Sequence, residues 1–139
     1  MRELKFRAWN TTRNCWTLRV ELDLLYEKPM LLHGEIENNN GYLTDNTIIE
    51  QYTGFKDKND KEIYEGDILE QFVCGVKMFK GKPCGRRTIW QVIWNDRECC
   101  FDLHYLRGAV FGDSLMTCDD EYEVIGNIHE NPELLEEEE

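Results

Sequence analysis

IIEQYTGFKDKNDKEIYEGDIL, residues Ile48–Leu69, packs several changes of direction into a short span, and its reading decides the fold. Ile48 to Thr53 is rich in apolar and β-branched residues and reads as a strand that Gly54 is expected to end. Phe55 to Ile63 reads as a hairpin turning near Lys58-Asn59-Asp60, because Asn and Asp tolerate positive φ better than other non-glycine residues. Tyr64-Glu65-Gly66-Asp67 then turns the chain into a strand from Ile68 to Val73. Gly54 and Gly66 supply backbone conformations that side chains resist. Tyr52, Tyr64 and Asp67 invite a catalytic reading, yet a scaffold role accounts for them better. The two rings can pack while their hydroxyls stay wet, and Asp67 can accept a bond from a nearby N–H.

Towards the N-terminus, Leu4, Phe6 and Ala8 alternate with Lys5, Arg7 and Trp9, which predicts a strand with one apolar face. Asn10 to Asn14 is a turn cluster. Beyond it Trp16, Leu18, Val20, Leu22 and Leu24 alternate with polar residues, so the two strands are expected to form a hairpin. Glu27-Lys28-Pro29 is read as a strand break, Met30 to Ile36 as a short apolar piece, and Glu37 to Gly41 as a loop. Towards the C-terminus, Gly75 to Thr88 reads as a long loop or distorted hairpin. Ile89 to Trp94 is apolar on both faces, as a central strand covered on two sides would be. A turn at Asn95-Asp96-Arg97 leads to a strand on which Cys99, Phe101, Leu103 and Tyr105 share a face. Residues 107–120 read as an irregular connection, and Tyr122 to His129 as the last strand. Asn131-Pro132-Glu133 carries the start signals of a helical turn, with Leu134 or Leu135 packing back.

KFRAWN (Lys5–Asn10), QYTGFKDKNDKEIYEGDIL (Gln51–Leu69) and VIGNIHENPELL (Val124–Leu135) together resemble the YopX family of phage and prophage proteins. The three matches occur in the family's order and span nearly the whole chain. Asp60, Phe55 and Asn10 stand where family members usually carry Gly, Leu and often Asp; the first weakens the tight-turn argument locally. The resemblance implies a small, mainly β cytoplasmic protein with an SH3-like barrel component, encoded by a phage or prophage, and it implies no established reaction. The expected architecture is a smaller N-terminal β sub-domain over 1–50, an SH3-like barrel over 51–135 and an acidic tail over 136–139.

The 139-residue chain is 41% hydrophobic, enough for a core without a disulfide or metal. No signal-peptide pattern opens it and no apolar run is long enough to span a membrane, so the cytoplasm is the expected compartment. There Cys15, Cys74, Cys84, Cys99, Cys100 and Cys118 would stay reduced, and they are read as mostly buried small hydrophobes. Zinc needs closely spaced Cys or His pairs, whereas nine residues separate Cys74 from Cys84, and an extended strand would aim Cys99 and Cys100 to opposite faces. On the same strand Cys100 and His104 stand about 13 Å apart, too far for a thiolate–imidazole pair. The acidic run Asp119-Asp120-Glu121, with Glu123, lacks the EF-hand spacing. GxSxG, HExxH, GxxxxGK[ST] and GxGxxG are all absent from the sequence. No catalytic residue, metal ligand or cofactor is therefore expected, and the chain is read as a non-enzyme.

Charge is segregated. The net charge is −12, yet the first twenty residues carry five basic and one acidic side chain, while 89–139 carry two and fourteen. The acidic total disfavours duplex DNA as the main partner. Residues 75–88 carry five basic and no acidic residues. Lys77, Phe79, Lys80, Lys82, Arg86 and Arg87 are accordingly the candidate partner-binding residues. The leading expectation is a protein-interaction or self-assembly module, with a homo-oligomer as one form and no membrane partner. The alternative is a nucleic-acid accessory factor gripping RNA or single-stranded DNA through this loop, its phosphates on the cations and a base on Phe79.

Overall fold

The computed structural model describes residues 4–23, 28–33, 47–74, 85–108 and 122–136. Two compact units follow one another along the chain, Met1–Gly54 and Phe55–Glu139. The fold is mainly β, and the described residues contain nine strands, one 3₁₀ turn and no α-helix.

The first unit carries β1 (Phe6–Asn10), β2 (Cys15–Asp23), β3 (Lys28–His33) and β4 (Thr47–Lys56, running two residues past the boundary). They lie side by side in the order β3-β2-β1-β4, every neighbour antiparallel. The β1–β2 hairpin is present, but the expected single apolar face of β1 is corrected. Leu4 is exposed, whereas the consecutive residues Ala8, Trp9 and Asn10 are all buried. The cause is a register shift between Phe6 and Ala8 and a central position between β2 and β4, which gives both faces something to bury. Trp9 meets Trp16 edge-on at 4.9 Å. The Asn10 side-chain oxygen accepts the N–H groups of Thr12 and Arg13, closing the turn. Pro29 does not break a strand but pairs with Leu22 in β3, the end strand of the order, where a missing N–H is tolerated. Gly54 does not end β4 either: at φ +91 it lets the strand bend and continue to Lys56.

The second unit comprises β5 (Glu62–Tyr64), which stands next to β4 in the strand order, then β6 (Asp67–Cys74), β7 (Gly85–Asn95), β8 (Cys100–Gly108), β9 (Tyr122–Asn127) and the 3₁₀ turn Pro132–Leu135. Its sheet has the order β8-β7-β6-β9, again antiparallel throughout. β7 is central, as its two apolar faces predict. Ile63, Leu69, Trp90, Val92, Phe101, Leu103 and Tyr122 form one buried cluster, with Phe55 and Val124 packed against it. Each fully buried Leu, Ile or Val side chain of this kind contributes about 1.5–3 kcal/mol relative to exposure. The Trp90 indole N–H donates to the Gln71 side-chain oxygen (2.9 Å), so the large ring is buried without an orphaned donor.

Several expected boundaries move. The turn after β7 is Asp96–Cys99, so Cys99 leaves the strand face it was expected to share with Phe101. β8 runs on to Gly108, and Gly85–Thr88 belong to β7 rather than to a loop. Ile128 and His129 lie in a turn, not in β9.

The 3₁₀ turn packs against β9 and is bonded from β8. Ile68 pairs with Gly126, and a Cβ placed on Gly126 would sit 2.6 Å from Asn131 Oδ1 and 2.9 Å from Leu134 Cδ1. From β8 the Arg107 guanidinium donates to the Leu134 carbonyl (3.1 Å). Leu134 is thus the residue that packs back, while Leu135 is exposed. The Asn131 side chain makes no capping bond to the turn's N–H groups. Its oxygen instead accepts a long bond from the Asn127 N–H (3.4 Å).

Candidate partner-binding surface

The central stretch is held by carboxylates that bond backbone. Asp57 Oδ1 accepts the N–H groups of Asn59 (2.8 Å) and Lys61 (2.9 Å), and Oδ2 accepts Val124 N–H (3.0 Å) from the edge strand β9. Lys58 N–H donates to the Tyr122 carbonyl (2.9 Å), and the Lys58 ammonium stands 3.0 Å from Glu123. The turn 57–61 therefore occupies the side of β9 away from β6. Burial pushes the Asp57 carboxyl up. The N–H donors of Val124, Lys61 and Asn59, together with the Lys61 charge, outweigh that and hold it below its ordinary range. Asp60 takes φ +66, the conformation its residue type allows. Asp67, 1% exposed, accepts Tyr64 N–H (2.9 Å), and the Tyr64 hydroxyl donates to Glu62 (2.9 Å). Tyr52 N–H donates to the Lys5 carbonyl, with the Lys5 ammonium 5.6 Å from the centre of its ring. These contacts do the work of a scaffold.

Of the candidate binding residues, Lys77, Phe79, Lys80 and Lys82 lie outside the described residues. Arg86 and Arg87 stand in β7, opposite Val73 and Phe72 of β6. The Arg87 side chain is 71% exposed, and its Nε lies 3.8 Å from Glu70 Oε1, an exposed pairing that constrains it little. Phe72, directly across the ladder, is 44% exposed. The end of the β6–β7 hairpin thus presents an aromatic ring and a guanidinium side by side. Its base is held tightly: Gly108 pairs with Thr88 at φ +105, and a Cβ there would sit 2.2 Å from the Arg87 carbonyl oxygen. The sequence signalled Arg87 through the basic run. It did not signal Phe72, because a large apolar residue in a strand reads by its type as a packed one.

Three cysteines correct the expectation of burial: Cys15 and Cys99 are exposed and Cys100 is half-buried. Each adjoins a hairpin turn, where little chain is available to cover it. The remaining cysteine side chains, and the acidic run 119–121, lie outside the described residues; Glu123 is the partner of Lys58. Among the described residues no group of three or more His, Cys, Asp or Glu is placed to hold a metal. None of their helices is long and apolar enough to cross a membrane.

Comparison with known proteins bears on the whole chain. The profile of a family described as "YopX protein" matches residues 5–136. Among solved structures the chain is similar to protein EF1440 from Enterococcus faecalis, at 31% identity and a TM-score of 0.60, covering 98% of this chain and 100% of that one. A search of curated proteins finds no match.

Proposed function

The chain belongs to the YopX protein family, and from that premise we propose that it is a non-enzymatic interaction module whose contact surface is the end of the β6–β7 hairpin. The observation that carries this reading is the exposed Phe72 beside the exposed Arg87. Aromatic residues and Arg are the types enriched at interface cores, because one supplies rigid apolar area and the other a planar, weakly hydrated cation. The sequence between the two strands adds Lys77, Lys80 and Lys82 with no acid, so the surface suits an acidic protein partner, including the acidic C-terminal end of a second copy. The setting proposed is the cytoplasm of a bacterium carrying a phage or prophage.

A photoreactive phenylalanine analogue at position 72 tests this in living cells. A discrete cross-linked protein, or a covalent dimer, is expected from position 72 and not from the exposed turn residue Asn59. The same adducts at both positions would refute the reading. The basic run itself favours a second reading, binding of RNA or single-stranded DNA. Gel shifts over a salt series decide it: no complex at low salt, or a complex unaffected when Lys80, Lys82 and Arg86 become Ala, excludes it.

A further inference from the structure

Four consecutive glutamates, Glu136–Glu139, follow the 3₁₀ turn, and β8 holds the point from which they depart. A Cβ on Gly126 would meet Leu134, and Gly126 stands opposite Ile68, which shares one face of β6 with Glu70 and Phe72. Along that face the next pairing is Glu70 with Ile89 of β7, and Ile89 in turn with Arg107 of β8. Arg107 Nη1 donates to the Leu134 carbonyl (3.1 Å) and to the Glu136 carbonyl (3.3 Å). The chain therefore passes from Leu134, beside the Ile68 pair, to Glu136, tied by the arginine of the Ile89 pair. Glu136 is extended, at φ −75 and ψ 137, and continues away from the turn. The pair after Ile89 on the same face is Arg87 with Phe72.

We propose that Glu137–Glu139 fold back onto Arg87 and Phe72 of their own chain and mask that surface until a partner displaces them. The masking rests on the interaction reading above, since it regulates the same surface. The distance is short enough: Arg87 stands two residues along β7 from Ile89, about 7 Å, and three extended residues reach about 10 Å before their side chains are counted. The charges match. The Arg87 side chain is 71% exposed and 3.8 Å from Glu70, so its guanidinium has donors to spare for a second carboxylate. Tethering supplies what so few contacts lack, because a short link holds the glutamates at roughly millimolar effective concentration. A contact of this kind is always at hand and still weak enough for a partner to displace.

A trifluoromethyl-phenylalanine at position 72 of the full chain reads the contact by its fluorine resonance. Glu137→Gln, Glu138→Gln and Glu139→Gln combined should move that resonance, by the same amount at every protein concentration. Raising the salt from about 0.1 M to about 1 M shortens the screening length from about 10 Å to about 3 Å and should close the gap between the two chains. In the cross-linking assay the Gln variant should give about three- to tenfold more adduct, the factor expected if the glutamates cover the surface about two-thirds to nine-tenths of the time. Coincident resonances at low salt overturn the masking, as does adduct formed equally by both chains. A gap that grows with protein concentration assigns the contact to a second copy and overturns it too. Adducts with coincident resonances remove the masking and keep the interaction reading; an intact gap with no adduct from either chain keeps the internal contact and removes the interaction reading.

Discussion

Replacing Asp57 tests the structural logic of the second unit. Asp57→Ala removes three backbone bonds at once: two inside the turn, to Asn59 and Lys61, and one to Val124 of β9. Hydrogen bonds to a charged acceptor are worth about 1.5–3 kcal/mol each when water cannot replace them. Asn59 and Lys61 are exposed, so their N–H groups recover water and those two bonds count for less. Val124 is partly buried, and its bond anchors an edge strand. A total loss of about 3 kcal/mol is predicted. Asp57→Asn keeps one acceptor oxygen but places a donor against an N–H, for a loss of about 1.5 kcal/mol. The effect also depends on pH. The carboxyl sits below its ordinary range in the folded state, so its contribution is complete above the unfolded pKa of about 3.9 and disappears as pH falls through the folded value. The stability gap between parent and Asp57→Ala should therefore be constant from neutral pH to about pH 5 and shrink below about pH 4. Urea unfolding of the 5-fluorotryptophan-labelled chain, read at the Trp90 and Trp94 fluorine resonances, isolates the second unit. A gap under about 1 kcal/mol at neutral pH, or one that does not shrink in acid, would refute the reasoning.

Other perturbations follow from named contacts. Arg7 Nε donates to Glu50 Oε2 at 2.8 Å, the Glu50 side chain is 4% exposed, and the guanidinium lies 4.3 Å from the Trp16 ring centre. Arg7→Met should cost about 1.5–3 kcal/mol by removing a charge-assisted bond to a buried carboxylate, read at the Trp9 and Trp16 fluorine resonances. Gly54 and Gly108 both have positive φ, but a Cβ on Gly54 meets nothing within 4 Å while one on Gly108 meets backbone. Gly54→Ala should cost about 1 kcal/mol and Gly108→Ala about 3 kcal/mol or more in urea unfolding; equal losses would contradict the steric difference. Gly126→Ala meets side-chain ends that can move, so about 1–2 kcal/mol is expected, with faster hydrogen exchange at the Leu134 amide.

Most strands and part of their pairing could be anticipated, because period-two patterning is a local signal. The β1–β2 hairpin, the turn at Asn59-Asp60 and the central position of β7 all follow from alternation and turn chemistry. The pattern was silent wherever burial depends on distant partners. Trp9 and Asn10 are buried because β2 and β4 flank β1, which no window around residues 6–10 contains. Gly54 looked like a terminator because a glycine that bends a strand and one that ends it are the same letter. Cys99 looked like a strand residue because its left-handed backbone violates the preference of its type. At the candidate surface, charge composition pointed to Arg87, but the exposure of Phe72 depends on where cover stops along β6.

The pairing of β6 with β9 sets a timetable for synthesis. Ile68 waits for Gly126, and Asp57 for Val124, so neither can find its partner until β9 has been made. At about 5–20 residues per second, the stretch from Cys74 to Tyr122 takes roughly 2–10 s to emerge. During that interval one side of β6 is an unpaired ladder of N–H and C=O groups, open to pairing with another nascent chain. A ribosome pause in that stretch would prolong the exposure without altering a single contact of the finished protein.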